Sequence, residues 1–282
     1  CWSCARWSAL GVTIGTHRSS PALRSSRVGH SLVAGTSEDA YCCSLMRFPP
    51  IPYCGSAPLP VDIWTRWNPD PLAIALVISL FLIGRALRAQ PLPLAAGCAI
   101  LLLLFVSPFC ALSSALFSAR AAHHILLTAV AAPLLAMALP AVRGRPAAWA
   151  CVHALIFWLW HAPVAYTFAL ASDGAYWLME LTLLASAIGL WRSVLAATAP
   201  IGVAVLLATM VQMGLLGALL TFASTPLYAW HWITTQPWGL SPVEDQQLAG
   251  LLMWIVGGAI YLVAALRLAG NWLTERQRMA IA

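Results

Sequence analysis

The sequence contains no lysine, and charged side chains make up only 9% of its 282 residues. Such a low charged fraction is far below the ~25% of ordinary soluble domains. Hydrophobic residues reach 61%, and the mean hydropathy is +0.82. The composition therefore excludes an ordinary soluble domain and indicates a membrane protein.

Signatures of catalysis are also missing. The chain has no nucleophile elbow, phosphate-binding loop, HExxH motif or paired catalytic carboxylates. It also lacks the basic, aromatic surface that is typical of nucleic-acid binding. We therefore predict that the protein is not an enzyme and does not bind nucleic acid.

The eight cysteines form no recognisable disulfide framework. Cys98, Cys110 and Cys151 lie inside apolar runs, where we expect them to be small buried hydrophobic residues. Cys1 and Cys4 form a CxxC pair, but the segment around them has no other feature of a metal site.

Several apolar runs reach ~20 residues, which is the length that crosses the hydrocarbon core of a bilayer. The sequence predicts an all-α, polytopic membrane bundle with seven transmembrane helices. Pro108 is expected to kink the second helix, and Pro163 to open the fourth. The seven predicted spans are 72–87, 92–116, 121–142, 147–170, 175–195, 201–223 and 248–268.

Arginine is distributed unevenly among the predicted connections. One set of alternate connections contains Arg85, Arg88, Arg143, Arg145, Arg192, Arg267, Arg276 and Arg278, and the other contains only Arg66 and Arg120. Because positive residues are retained in the cytoplasm, we predict that the N-terminus is outside and the C-terminus is cytoplasmic. The predicted domains are a disordered or upstream segment (1–45), a periplasmic Pro-rich lead-in (46–71), the transmembrane domain (72–273) and a cytoplasmic tail (274–282).

Polar residues inside predicted spans are costly, so they usually face the bundle interior and mark a functional path. Imidazole, thioether and carboxylate groups together suggest a transition metal, and thioethers favour Cu(I). We expect His124 and His161 to differ in depth by roughly two turns, from ~1.5 Å of rise per residue. The candidate ligands are His123, His124, His161, Glu180, Met213, Met253 and His231.

Five of these seven candidates also have a structural interpretation. His161 could form a hydrogen bond between packed helices, and the two methionines could fill gaps in the core. Glu180 could pair with Arg120 or with a histidine. His231 could be an interface residue in an aromatic loop, whereas we expect His153 to pack or to form a hydrogen bond.

A polar, aromatic-rich loop precedes the last span, and we interpret it as a cap over a site just below the membrane surface. We predict that Glu244, Asp245, Gln246 and Trp254 bind a partner, although the two acids could instead cap the last helix. Glycines on the last two spans are expected to allow close helix packing and to draw Met213 towards Met253. These glycines are Gly214, Gly217, Gly250, Gly257 and Gly258.

Four stretches together resemble the CtaG-type cytochrome c oxidase assembly factors, which are polytopic proteins of bacterial membranes. They are YCGSAPLP with RWNPDP at 53–71, LFSARAAHHILLTAVAAPLL at 116–135, FWLWHAP at 157–163 and LSPVEDQQLAGLLMW at 240–254. The resemblance covers about residues 52 to 273, and the last stretch is its most specific part.

This resemblance implies a protein of the bacterial inner membrane that helps to build the oxidase and is associated with delivery of copper, as Cu(I), to the catalytic subunit. A periplasmic copper donor is a possible second partner. The motif residues carried over are His124, His161, Asp245 and Gln246. The family pattern has a His where this chain has Arg120 and another near Glu180. Because this chain lacks both, the resemblance implies that Glu180, Met213, Met253 or Cys54 takes their place as a ligand.

Two other functions stay open at this point. A haem-binding membrane electron-transfer protein could use two histidines on facing helices as axial ligands, although the expected depth difference disfavours it. A scaffold or insertion factor for the oxidase would need no metal at all. A copper transporter is disfavoured, because only His153 points to the cytoplasmic half.

Overall fold

The structure is a computed structural model that describes residues 51–139 and 144–281. This part of the chain contains helices and no strand. The predictions for residues 1–45, for Cys1 and Cys4 and for Arg143 lie outside these residues. The helices are α1 (Pro71–Ala86), α2 (Pro91–Val106), α3 (Pro108–Ala115), α4 (Phe117–Ala138), α5 (Pro146–His161), α6 (Pro163–Leu170), α7 (Asp173–Leu195), α8 (Ala199–Phe222) and α9 (Pro242–Ile281).

Proline begins six of the nine described helices, where its fixed φ suits the first turn and its missing N–H costs nothing. Side-chain caps add to this signal: Asp70 accepts a hydrogen bond from the Leu72 amide, and Ser172 accepts one from the Ala175 amide. The sequence therefore encodes most helix starts locally.

Two helix pairs are sharply bent, at Pro108 and Pro163, where the sequence predicts breaks. The axes of α2 and α3 differ by 52°, with the break before Pro108, and those of α5 and α6 differ by 75°, with the break before Pro163. Both predicted breaks are confirmed. The second bend positions His161 at the very end of α5.

Helix α4 is the centre of the bundle, in contact with α2, α3, α7 and α9. It contains a π-helical segment, Leu126–Ala131, directly after its two histidines, and α9 contains a second one, Leu252–Gly257. Within the α4 segment, the carbonyl of Thr128 accepts a hydrogen bond of 2.9 Å from the Trp191 indole. Such segments are frequent at functional sites.

Helices α8 and α9 pack backbone to backbone through glycines, as predicted. A Cβ atom at Gly217 would lie 2.7 Å from the Gly250 carbonyl oxygen, and one at Gly250 would lie 2.5 Å from the Gly217 oxygen. A Cβ at Gly257 would lie 2.6 Å from Met213 Cε. Larger side chains at these positions would force the two helices apart.

The burial pattern is inverted relative to that of a soluble protein. Large apolar side chains such as Leu155, Val164 and Phe222 are exposed, whereas Arg120 and Glu180 are fully buried. Four helices (α4, α7, α8 and α9) are long and apolar enough to cross a membrane, and there are six spans if each bent pair is counted as one. The apolar α1 is shorter, with 16 residues. The described residues therefore form a membrane protein with four to six candidate spans.

The cysteine predictions require two corrections. Cys110 is buried as expected, but it forms a disulfide with Cys54, which ties the segment before α1 to α3. Cys151 is exposed on α5 rather than buried, because it faces outward from the bundle. Cys98 is free and buried, as predicted.

Candidate metal centre

Two histidines and a carboxylate meet in the buried centre of the bundle. His123 and His124 lie on α4 and Glu180 on α7, and all three are at most 2% exposed. His124 Nε2 is 3.4 Å from Glu180 Oε1, and His123 Nδ1 is 3.7 Å from Glu180 Oε2. Adjacent positions on a helix point ~100° apart. The two imidazoles nevertheless reach opposite oxygens of one carboxylate.

His161 joins this group from the end of α5. Its ring centroid is 5.6 Å from that of His124, with the two rings nearly perpendicular. Its Nδ1 donates a 2.7 Å hydrogen bond to the Phe157 carbonyl, the expected roles because a carbonyl only accepts. This bond leaves the lone pair on Nε2, which is how a ligating histidine is usually oriented.

Several polar atoms in this cluster have no hydrogen-bond partner among the described residues. They are both ring nitrogens of His123, both of His124, Glu180 Oε2, and the Nε and Nη2 donors of the neighbouring Arg120. Buried polar atoms in native proteins are almost always paired, and each unpaired one costs about 1–3 kcal/mol. The lone pairs of the imidazole nitrogens and of the carboxylate oxygen are therefore available to coordinate an ion.

The geometry of these atoms fits a small transition-metal ion. One atom each from His123, His124 and Glu180 lie within 4.8 Å of one another. Metal–ligand bonds of ~2.0 Å at tetrahedral angles put ligand atoms ~3.3 Å apart, so small side-chain rotations would close the site. Imidazole donors suit zinc, copper, iron and nickel, and do not suit magnesium or calcium.

Arg120 is the member of the cluster whose place the sequence did not reveal. The Arg counts assigned it to an outer connection, but it is 1% exposed, one turn before the histidines on α4. Its Nη1 is 3.4 Å from Glu180 Oε1, and its Cζ is 5.2 Å from the Tyr176 ring centroid. Arg120 is three and four residues before His123 and His124, so all three lie on one helix face. This spacing is the sequence feature that could have placed Arg120 beside the histidines. Glu180 thus pairs both with Arg120 and with the histidines, as its structural interpretation expected.

The two methionines are buried in the hydrophobic core, Met213 at the contact of α8 with Gly257 and Met253 in the π segment of α9. Their packing is what the structural interpretation expected. Their role as ligands stays a prediction.

His231 is buried rather than hanging in an exposed loop. Its Nε2 is 2.7 Å from the Tyr166 hydroxyl, and its Nδ1 is 3.2 Å from the Ala115 carbonyl oxygen. Both ring nitrogens are therefore engaged within the protein. Burial lowers the pKa of His231 to about 3, so this side chain is neutral near neutral pH.

Asp245 and Gln246 are buried as well, and their binding of a partner stays a prediction. The Asp245 carboxylate accepts hydrogen bonds from the backbone amides of Phe117 and Ser118, at 2.6 and 3.2 Å, and so caps α4. Gln246 accepts a 2.7 Å hydrogen bond from the Leu227 amide. The two side chains face inward because they supply partners to backbone groups that would otherwise be unpaired.

Glu244 and Trp254 remain accessible. Glu244 forms a capping box with Ser241 at the start of α9, as its structural interpretation expected. Trp254 packs on Gly214 and Gly217 with 45% of its surface exposed. Partner binding by these two residues stays a prediction.

Cys54 is not free to act as a ligand in this structure, because its sulfur is bonded to Cys110. The Tyr176 hydroxyl lies 3.7 Å from Cys54 Sγ, so the disulfide packs close to the cluster without belonging to it.

The expected depth difference between His124 and His161 is wrong. Counting a fixed rise per residue treated the fourth predicted span as one straight helix, whereas α6 turns away from α5 by 75°. The two rings are in contact instead. Depth therefore no longer argues against a haem. However, a bis-histidine haem needs both coordinating nitrogens to face the iron, and His124 Nε2 faces Glu180.

Comparison with known proteins gives one result. The family model described as cytochrome c oxidase caa3 assembly factor (Caa3_CtaG) matches residues 85–275, which include the whole histidine cluster but not Cys54. Neither the curated proteins nor the solved structures contain a match to the chain.

Proposed function

Because this chain belongs to the cytochrome c oxidase caa3 assembly factor family, we propose that it holds copper for the oxidase at the cluster of His123, His124 and Glu180 together with the adjacent His161. Copper is here a cargo that is passed on, in the Cu(I) state, to the catalytic subunit. The protein itself performs no catalysis. A periplasmic copper donor is the expected second partner.

The observation that carries this proposal is the set of unpaired imidazole nitrogens around one buried carboxylate. A structural ion pair would need only Arg120 and Glu180, whereas two further histidines are buried beside it, 3.7 and 3.4 Å from the same carboxylate. Three imidazoles and a carboxylate, by contrast, form a donor set suited to copper. Apart from the bond at His161 Nδ1, these imidazoles have no second hydrogen bond that would orient the ring and strengthen metal binding. The ion should therefore be released readily.

We further propose seven spans, with the short α1 counted as one, and with the N-terminus outside. Helix α1 has 16 residues, equivalent to ~24 Å of rise, which a locally thinned bilayer can accommodate. The arginine asymmetry supports the orientation, more strongly now that Arg120 is buried and leaves the outer set. The Cys54–Cys110 disulfide, before α1 and in α3, also favours an oxidising compartment at that end. In a bacterium this is the periplasmic side of the inner membrane.

The direct test is a Cu(I) titration of the purified protein in detergent, against a colorimetric Cu(I) chelator. We expect about one equivalent to bind. His124→Ala and His161→Ala should each abolish stoichiometric binding. His153→Ala is the matched control, because His153 is equally buried on α5 but bonded to Ser186 at 2.9 Å, and it should bind normally.

The outcomes separate the alternatives. Absence of binding by the wild-type protein would remove copper and favour a scaffold or insertion factor. Equal loss in the His153 variant would mean that general destabilisation, not ligand removal, explains the result. A Soret band in the purified protein would instead establish a haem protein.

A further inference from the structure

Two neighbouring cavities lie between the surface near the start of α1 and the buried carboxylate. The outer one is a groove of about 810 Å³ between the segment before α1 and the start of α7. The inner one, of about 210 Å³, lies between α1, α2 and α7 and is lined by Glu180. Leu76, Trp177 and Leu181 line both cavities, so the two meet at these side chains.

The outer groove is acidic. Asp70 and Asp173 line it, together with Tyr53 and Asn68. The Tyr53 hydroxyl donates a short hydrogen bond to the Asp70 carboxylate, and burial and this carboxylate raise the Tyr53 pKa far above its usual value, so that the phenol stays neutral. Two carboxylates in a concave groove raise the local concentration of cations.

Aromatic rings connect this groove to the histidines. Tyr53 meets Trp177 edge to face at 5.3 Å between centroids, and Trp177 stacks on Phe105 at 5.1 Å. Phe105 in turn contacts His123 edge to face at 5.3 Å. The faces of such rings attract cations, and Trp does so most strongly.

Two residues that line the inner cavity have buried polar atoms without a partner. Glu180 Oε2, on a side chain that is 1% exposed, has no hydrogen-bond partner, and neither does the Trp177 indole nitrogen in the described part of the chain. A buried carboxylate at the inner end of this otherwise apolar cavity attracts a cation and offsets part of the cost of removing the ion's water.

We propose that this pair of cavities is the route by which the metal ion reaches and leaves the cluster, with Trp177 as the gate between them. The inference rests on the proposed function, because it concerns the same ion. A monovalent, soft ion such as Cu(I) is collected by Asp70 and Asp173, passes the Trp177 ring and is taken up at Glu180 and His123. Leu76 and Leu181 set the width of the passage.

Residues along a route affect the rate at which Cu(I) is loaded, whereas ligands affect the equilibrium affinity for Cu(I). The test uses this difference. Cu(I) bound to a colorimetric chelator is mixed with the purified protein in a stopped-flow instrument, and both the loading rate and the final equilibrium are measured. Asp70→Asn with Asp173→Asn should slow loading about tenfold at low ionic strength and much less in high salt. Leu181→Trp should slow loading at least as much, by filling the passage.

Leu178→Trp is the matched control, because Leu178 lies on the same helix, is similarly exposed and lines neither cavity. It should load at the wild-type rate, and all of these variants should reach the wild-type equilibrium. Unchanged rates in the Asp and Leu181 variants would overturn the route and leave the metal site intact. Lost equilibrium binding in these variants would make their residues ligands or structural supports, which also overturns the route. No binding by the wild-type protein would overturn the proposed function and the route together.

Discussion

Arg120 should weaken metal binding, so its removal should strengthen it. The guanidinium is always charged, and its Nη1 lies 3.4 Å from the same Glu180 oxygen that faces His124 Nε2. A cation bound by these groups would share the carboxylate with Arg120. Arg120→Gln should therefore raise the affinity for Cu(I).

The size of the effect follows from the distances. An ion ~2 Å from its ligand atoms would lie about 5 Å from the guanidinium, where two unit charges repel by about 3 kcal/mol at an effective dielectric constant of ~20. This corresponds to a roughly hundredfold change in affinity. Relaxation of the neighbouring side chains should reduce it, so we expect a gain between about 10- and 100-fold.

The assay is the same chelator competition, with Arg120→Lys as the charge-preserving control. The Lys variant should bind within about threefold of the wild-type protein, because it keeps the charge but loses the planar fork. Thermal unfolding would verify that each variant is folded, since breaking a buried pair costs about 3–5 kcal/mol. A folded Arg120→Gln protein with unchanged or weaker affinity would refute the electrostatic reasoning.

Two further predictions concern the start of α9, which contacts α4, and the loop that precedes it. Asp245→Ala should lower the free energy of unfolding by about 3 kcal/mol, because it leaves the buried amides of Phe117 and Ser118 unpaired, whereas Glu244→Ala removes only an exposed cap and should cost much less. Chemical denaturation in detergent measures both, and normal stability of the Asp245 variant combined with lost oxidase assembly would instead support its predicted partner-binding role. His231 is neutral when folded, with a pKa of about 3, and would take up a proton below about pH 6.5 when unfolded. The unfolded state therefore binds more protons as the pH falls from 6.5 to 3, and His231 should cost up to about 1.4 kcal/mol of stability per pH unit in that window and nothing above it. His231→Gln should reduce the loss of melting temperature between pH 7 and pH 5, and an identical pH dependence in both proteins would contradict this.

The sequence predicts the helical architecture well because its signals are local. Pro108 and Pro163 interrupt a helix at their own positions, and both predicted breaks occur there. The glycines of α8 and α9 likewise predict that another helix packs closely against them, and the two helices do so against each other. The polar residues of the spans were correctly expected to face inward, because lipid offers them no partner.

What the sequence does not provide is the direction of each helix after a bend. The depth of His161 was misjudged because a rise per residue measures depth only along a straight axis. The disulfide was missed for a related reason, since Cys54 and Cys110 are 56 residues apart and meet only through the fold. Asp245 was expected at a surface, yet its carboxylate caps a helix that begins 128 residues earlier in the chain. Such long-range partners follow from packing, which no local pattern records.

The central claim is that the buried histidine cluster holds copper on its way to the oxidase. It is tested most directly in a strain that lacks this gene, complemented with the wild-type, His124→Ala or His153→Ala protein, by measuring the copper content of the purified oxidase at matched expression. The account predicts copper-deficient oxidase with the His124 variant and normal oxidase with the His153 variant. Fully metallated oxidase from cells that carry only the His124 variant would contradict it.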